Sequence, residues 1–238
     1  MSSPVFPLVN PYPVSSRDPS ARDVALAEAG ALELPSKETY CGPREIVQAV
    51  MRDEGVGAAH NAFEGSLKES AEYKDWQRSM PYLKDVPNIS TFRKGRKGHV
   101  DPWKANDEVL EVGGLLCAGQ ILYRGGVFRH AEVAISEGPV STSMHPSVAR
   151  WHAIEVRGQV AILRIAEDRK VKGFAYQTVG NQKHKAEFEV LLQSGLRLNQ
   201  YEVFEVKGIT VKAYDVYREN GPRVRSHIPT AGKDLTSG

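Results

Sequence analysis

The spacing of apolar residues divides the chain into a helical first half and a strand-rich second half. Residues 43–54 carry an apolar stripe at the helical intervals of three and four, formed by Ile46, Val47, Val50 and Met51. Pro43 suits the first turn of such a helix. A second helix is predicted over residues 58–79, ending before Pro81, and a third over residues 107–118.

Beyond residue 119 the apolar pattern changes to short runs and alternating positions, which are typical of strands. Residues 120–123 and 159–165 are mainly apolar runs, and residues 201–206 and 209–217 carry the remaining strand patterns. Residues 146–152 fit a short helix because a proline opens the segment. The pattern therefore predicts helices followed by strands, without an internal repeat.

The two ends of the chain differ from its middle in composition. Residues 1–20 are rich in proline and serine, with little apolar periodicity, and are predicted to be an extended or disordered leader. Residues 21–105 form a predicted helical portion that includes a basic loop over residues 87–104. A core is predicted over residues 106–221, and residues 222–238 are predicted to be a flexible tail.

Length and composition place the chain among ordinary globular proteins. At 238 residues with 41% apolar content, it is long enough for one domain with a sizeable core. No run of 18 apolar residues exists, so no membrane-spanning helix and no membrane partner are expected. The N-terminus lacks the basic and apolar regions of a conventional secretory signal, so a cytoplasmic site of action is expected. Cys41 and Cys117 have no metal-ligand spacing, and neither a metal nor a disulfide is expected.

The positive charge of the chain is concentrated in two segments. The net charge is only +2, which does not by itself indicate a nucleic-acid partner. However, residues 84–104 carry six basic and two acidic residues, a balance of +4, and residues 169–185 carry five basic residues and no acid. Each segment has two interpretations: a solvated loop face, or a contact surface for an acidic partner.

Three short segments in the second half carry the candidate chemistry. They are residues 122–126, which contain Tyr-Arg-Gly-Gly, residues 141–143, which are Ser-Thr-Ser, and residues 187–192, which begin Glu-Phe-Glu. Each segment alone is common in proteins, as a strand entering a turn, a loop or cap, and a solvated strand face, respectively. Their order and their positions beside apolar runs give them a joint meaning.

In this order the segments resemble the arginine, Ser-Thr-Ser and Glu-x-Glu signatures of the R-S-E class of mono-ADP-ribosyltransferases. Members of that family split NAD at its nicotinamide bond and move ADP-ribose onto a target. The resemblance covers roughly residues 106–217. It implies an α+β fold in which two roughly perpendicular β-sheets surround an NAD cleft, with a helical N-terminal portion. It also implies NAD as co-substrate.

The resemblance assigns a role to each residue of the three segments. Arg124 is implied to bind the NAD phosphates, and the backbone of Gly125 the nicotinamide amide. Ser141 is implied to brace Glu189, whose carboxylate contacts the nicotinamide ribose, and Thr142 joins the NAD-contacting set. The residue chemistry agrees with these roles, because a guanidinium is a planar fork of donors and a fixed carboxylate stabilises the positive charge that develops on the ribose.

The first glutamate of the pair, Glu187, bears on the acceptor. In an extended segment, side chains two residues apart project from the same face, so Glu187 and Glu189 are predicted to share the cleft. Relatives with glutamate at this first position typically modify arginine, which makes a protein arginine the expected target. In this family, the preceding loop usually recognises the target. Here it spans about residues 174–186, with Tyr176 and His184 as exposed candidates.

Several points remain open at the level of sequence. Trp151 stands ten residues after Ser141, where several relatives place an aromatic ring against the nicotinamide, but a core tryptophan is the alternative. The acceptor could instead be RNA or DNA, held by the basic segments at residues 84–104 and 169–185. A third hypothesis is an NAD- or partner-binding module without transfer activity. A phage enzyme, an injected effector and a toxin with an immunity protein or antitoxin all fit the sequence.

Overall fold

The computed structural model describes residues 3–16, 18, 21–30, 37–53, 57–94, 101–128, 133–177 and 188–219. The α-helices in these ranges are α1 (Ala21–Glu28), α2 (Pro43–Arg52), α3 (Ala58–Glu69), α4 (Ala71–Ser79), α5 (Pro87–Arg93), α6 (Pro102–Val112) and α7 (Pro146–Glu155), with a 3-10 helix at Leu83–Asp85. The strands are β1 (Val14–Ser15), β2 (Thr39–Tyr40), β3 (Gly114–Leu115), β4 (Ile121–Gly126), β5 (Val133–Ile135), β6 (Val140–Ser143), β7 (Gln159–Ile165), β8 (Lys172–Ala175), β9 (Glu189–Leu192), β10 (Leu196–Val206) and β11 (Ile209–Arg218).

The strands form two sheets, and the predicted α+β class is confirmed. The larger sheet has nine strands in the order β3-β8-β9-β6-β4-β7-β11-β10-β5, and β1 and β2 form a separate pair. Neighbours in the larger sheet are antiparallel, except for β7 and β11, which are parallel. Its two parts, β3-β8-β9-β6 and β4-β7-β11-β10-β5, are joined through the pairing of Tyr123 with Ser143. The segments that carry the candidate chemistry lie on either side of this junction.

The helix boundaries in the first half follow local capping signals that the apolar pattern alone does not show. The segment predicted as one helix over residues 58–79 is two helices, because the Ser70 hydroxyl accepts a hydrogen bond from the Tyr73 amide and begins α4. The third helix begins at Pro102 rather than residue 107, since the Asp101 carboxylate accepts from the Trp103 amide at 2.9 Å. It ends at Val112, and the following glycine leads into β3.

Part of the predicted basic loop at residues 87–104 is also helical. Helix α5 has a proline at its first turn, and the buried Ile89 fixes it to the core. The backbone amides at the start of α5 have no partner within the helix, and Glu108 of α6 accepts their hydrogen bonds. The Asn88 backbone amide donates to it at 3.1 Å and the Ile89 backbone amide at 2.8 Å. These contacts fix the position of helix α5 and therefore that of its last residue, Arg93.

Residues 3–16 pack against the core, in contrast to the predicted disordered leader over residues 1–20. Phe6 is 1% exposed and stacks on Trp76 with a ring separation of 4.5 Å. The Trp76 indole donates a hydrogen bond to the Pro7 carbonyl at 2.7 Å. The Phe6 amide also donates to the Leu115 carbonyl, which places the segment beside β3. A few large apolar side chains are thus enough to hold a proline-rich segment that has no periodicity of its own.

In the described residues no helix is long and apolar enough to cross a membrane. The same residues contain no group of three or more His, Cys, Asp or Glu side chains suited to a metal ion. The predicted tail at residues 222–238 lies outside the described residues.

Candidate active site

The three candidate segments meet because β9, β6 and β4 are consecutive in the large sheet. Ser141 on β6 donates its hydroxyl hydrogen to Glu189 Oε1 on β9 at 2.8 Å. Arg124 Nη1 on β4 donates to the carbonyl oxygen of Ser141 at 2.6 Å. An arginine, a serine and a glutamate that are far apart in sequence therefore form one hydrogen-bonded chain.

These three residues line a cleft with a volume of about 580 Å³. The cleft is also lined by Gly125, Thr142 and Trp151, so every described residue of the predicted site faces the same cavity. Its volume lies within the range of ligand pockets, roughly 300–1,000 Å³. Glu187, the remaining predicted site residue, lies outside the described residues.

Glu189 has a second partner that the sequence did not indicate. Arg93, at the end of α5, places its Nε atom 2.7 Å from Glu189 Oε2, and the two side chains are only 16% and 14% exposed. The Arg93 guanidinium lies over the ring of Tyr176, with 4.5 Å between the guanidinium carbon and the ring centre. No sequence signal pairs Arg93 with a residue on β9, because the contact depends on how α5 packs against the sheet.

Arg124 is held at the inner side of the cleft. Burial lowers the pKa of its guanidinium from the ordinary arginine value. The group remains charged at neutral pH, because the ordinary pKa of arginine lies far above neutrality. A partly buried guanidinium beside a cavity attracts an anionic ligand more strongly than an exposed one, because less water screens its charge.

Gly125 is required by the packing of α7 on β4. A Cβ atom at this position would lie 1.9 Å from the carbonyl oxygen of Ala149 and 2.6 Å from the amide nitrogen of Ala153. The missing side chain thus allows helix α7 to contact the strand backbone directly. The resemblance implies that the backbone of Gly125 contacts the nicotinamide amide, which would require a close approach of the ligand. The close approach seen in the structure is that of the helix.

Trp151 and Thr142 occupy different environments at the cleft. Trp151 is 57% exposed on α7, which excludes the alternative of a core tryptophan. Its ring lies 4.7 Å from that of His152, and both residues line the cleft. Thr142 is buried, and its hydroxyl donates to the Val190 carbonyl at 2.6 Å. The Thr142 hydroxyl therefore ties β6 to β9.

Phe188, the residue before Glu189, does not have an extended backbone. Phe188 has φ of 44°, in the left-handed region, and β9 begins at Glu189. Phe188 is buried against the rings of Tyr73 and His145, at 5.6 Å and 5.9 Å. Burial of this ring offsets the cost of a backbone conformation that bulky residues rarely adopt. The extended conformation on which the prediction for Glu187 and Glu189 depends is therefore absent at Phe188, and Glu187 itself lies outside the described residues.

Tyr176, predicted as an exposed recognition residue, is 1% exposed. Its ring packs against Phe174 and lies beneath Arg93. The Gln77 side chain donates to the Tyr176 carbonyl at 3.1 Å, which anchors the end of the described segment to α4. Tyr176 supports the site from within, and His184 lies outside the described residues.

His145 caps the start of α7 as a buried imidazole. Its Nδ1 atom accepts a hydrogen bond from the Ser147 amide at 3.1 Å, so the ring has to be neutral at this nitrogen. Burial, with a smaller contribution from the nearby His60, lowers the pKa of His145 from 6.5 to about 3. The folded protein therefore binds a proton at His145 less readily than the unfolded chain does. The contribution of the neutral His145 to the free energy of unfolding is complete above about pH 6.5 and is lost as the pH falls toward 3.

We expect this histidine to cost about 1.4 kcal/mol of unfolding free energy for each pH unit below 6.5. Asparagine also caps helices but does not titrate, so His145→Asn is the matched variant. Between pH 7 and pH 5, the wild type should lose about 2 kcal/mol more than the variant in urea unfolding, from the same slope. Equal losses in the two proteins would show that His145 is not the acid-sensitive group.

Three solved bacterial proteins align with this chain at low sequence identity. Vis, an ADP-ribosyltransferase from Vibrio splendidus, in complex with agmatine, is 13% identical with a TM-score of 0.43, over 76% of this chain and 88% of that one. C3stau2 from S. aureus, with NAD, is 12% identical with a TM-score of 0.42, over 63% and 97%. Exoenzyme S from Pseudomonas aeruginosa is 16% identical with a TM-score of 0.37, over 82% and 88%. No protein-family model and no curated protein matches the chain.

Proposed function

We propose that the protein is an NAD-dependent mono-ADP-ribosyltransferase, a pentosyl-transferring enzyme that moves ADP-ribose to a target-protein arginine and releases nicotinamide. The observation that carries the proposal is the hydrogen-bonded chain from Arg124 through Ser141 to Glu189 along one cleft. Each residue meets a different requirement of the reaction. Arg124 supplies a planar set of hydrogen-bond donors for a diphosphate, Ser141 a hydroxyl that orients a carboxylate, and Glu189 the carboxylate itself.

The reaction breaks the bond between the ribose carbon and the nicotinamide nitrogen. The electron pair leaves with nicotinamide, and positive charge develops on the ribose. Glu189, fixed by Ser141, stabilises that charge without having to reorganise, which is usually the largest catalytic contribution. Trp151 offers an exposed indole on which the cationic nicotinamide ring can stack.

The acceptor nitrogen then forms the new bond to the ribose carbon and loses a proton. For an arginine acceptor, Glu187 is the proposed base and guanidinium partner, on the strength of its place before Glu189 in the sequence.

A nucleic-acid acceptor is the second candidate. It is supported by the basic segments at residues 84–104 and 169–185, and by Lys94, which lines the cleft.

Labelling with NAD separates these functions. The protein is incubated with cell lysate and NAD labelled in its ADP-ribose part, and portions are then treated with protease or nuclease. Label that resists nuclease and is lost with protease supports a protein acceptor, and the reverse supports a nucleic acid. No label and no free nicotinamide would contradict the enzymatic proposal and favour a binding module.

Arg124→Lys should weaken the use of NAD. A lysine presents a point charge in place of two parallel donors, and it also loses the contact with the Ser141 carbonyl. We expect the KM for NAD to rise roughly tenfold, with a smaller change in kcat. Arg78→Lys, in an exposed ion pair with Asp75, is the control. Wild-type KM and kcat in the Arg124 variant would mean that this guanidinium does not contact NAD.

A further inference from the structure

We propose that Arg93 is a positioning residue for Glu189, which holds the second carboxylate oxygen so that the group faces the ribose of NAD in one orientation. The inference rests on the proposed function, because it assigns Glu189 to the chemical step. Arg93 does not belong to any of the three segments that carry the sequence resemblance, and it reaches the site from the helical first half of the chain.

The carboxylate of Glu189 is held at two points. Ser141 Oγ donates to Oε1 at 2.8 Å, and Arg93 Nε donates to Oε2 at 2.7 Å. One hydrogen bond leaves a carboxylate free to rotate about its terminal torsion, whereas donors on both oxygens fix its plane. A carboxylate has about four lone-pair sites, so it can accept these two hydrogen bonds and others as well.

Arg93 is itself fixed by its surroundings. Its guanidinium lies 4.5 Å from the ring centre of Tyr176, and Tyr176 is buried. The Tyr176 amide donates to the Glu189 carbonyl at 3.1 Å, so the platform beneath Arg93 belongs to the same ladder as Glu189. At the other end of α5, the hydrogen bonds that the Asn88 and Ile89 backbone amides donate to Glu108 hold the start of the helix. The position of the guanidinium is thereby set by both α6 and the sheet.

The positive charge of Arg93 also favours the ionised form of the Glu189 carboxylate. Arg93 and Glu189 are each less than one fifth exposed, where an ion pair is screened far less than at the surface. An opposite charge at this distance favours the ionised carboxylate, and its removal leaves a partly buried carboxylate that accepts a proton more readily. Loss of Arg93 should therefore change both the orientation of the Glu189 carboxylate and the pH at which this carboxylate becomes ionised.

The test compares Arg93→Gln and Arg93→Lys with the wild type, with Arg78→Gln as a control for the loss of an exposed arginine. Nicotinamide release is measured at saturating NAD from about pH 4 to about pH 9, a range that spans the titration of a carboxylate. Thermal unfolding of each protein is measured alongside.

We expect Arg93→Gln to lower kcat roughly tenfold or more, because a misdirected catalytic group is costly. The acid limb of its pH–rate profile should move up by about one pH unit, since the carboxylate loses its cation. Arg93→Lys keeps the positive charge but lacks the planar set of guanidinium donors. Its acid limb should therefore stay near that of the wild type, and its kcat should lie between those of Arg93→Gln and the wild type.

An unchanged or higher kcat in Arg93→Gln would overturn the inference. A lower kcat with an unmoved acid limb would also overturn it, because a purely structural role for Arg93 would give that result. If the glutamine variant does not fold, Arg93→Lys decides, and wild-type kcat in that variant overturns the inference. Failure of the proposed function has a different result, because the wild type itself would then release no nicotinamide.

Discussion

Glu189→Gln should abolish ADP-ribosyl transfer and remove most nicotinamide release, a loss on the order of a hundredfold or more. The substitution changes almost no volume, and an amide oxygen can still accept the hydrogen bond from Ser141. The negative charge is gone, however, so nothing at this position stabilises the cation that develops on the ribose. The same change also ends the ion pair with Arg93.

The measurement is nicotinamide release from NAD, together with labelling of a lysate, in wild type and variant. Glu64→Gln serves as a matched control, because Glu64 forms an i,i+4 ion pair with Lys68 on α3. Thermal unfolding checks that the variant keeps its fold, since removing one partner of a partly buried pair is destabilising. Wild-type nicotinamide release in Glu189→Gln would contradict the central role given to this carboxylate.

The elements that the sequence predicted well are those whose signals are local. Helix α2 was predicted over residues 43–54 and spans Pro43–Arg52, because its proline start and apolar stripe lie within the segment itself. Strand β7 was predicted over residues 159–165 and spans Gln159–Ile165. The apolar positions of both are fully buried, so pattern and packing agree.

The candidate site was predictable where its residues belong to short motifs. Arg124, Ser141 and Glu189 lie together as the three segments suggested, because each segment sits at a fixed place on a neighbouring strand. The roles of these residues toward NAD remain proposals. Trp151 could not be assigned from sequence, because its exposure depends on which face of α7 packs against β4.

The features that were missed depend on contacts between distant parts of the chain. Arg93 counted only as one charge in a basic segment, and its pairing with Glu189 arises from the packing of α5. The N-terminal segment has no periodicity, yet Phe6 is buried because Trp76 provides a surface for it. The left-handed conformation of Phe188 is equally invisible in the sequence, since the rings that bury it come from α4 and the start of α7.

Phe188 changes the basis of the prediction for Glu187. The left-handed residue between the two glutamates means that strand alternation no longer places Glu187 beside Glu189. What remains is the sequence position of Glu187 and its expected role with a guanidinium acceptor. That role makes a specific demand: Glu187 should matter for transfer and not for cleavage of the nicotinamide bond.

Glu187→Ala should therefore abolish labelling of the target and spare slow hydrolysis of NAD to water. Water needs no carboxylate to bind a guanidinium, whereas cleavage still has Glu189, Arg124 and Ser141. Target labelling and nicotinamide release are measured side by side in one preparation, with Glu187→Gln as a variant that keeps the size of the side chain. Equal loss of both activities would show that Glu187 supports cleavage or the structure of its segment. Intact labelling would make it a bystander, and the arginine acceptor would then lose its main support, in favour of the nucleic-acid alternative that the basic segments suggest.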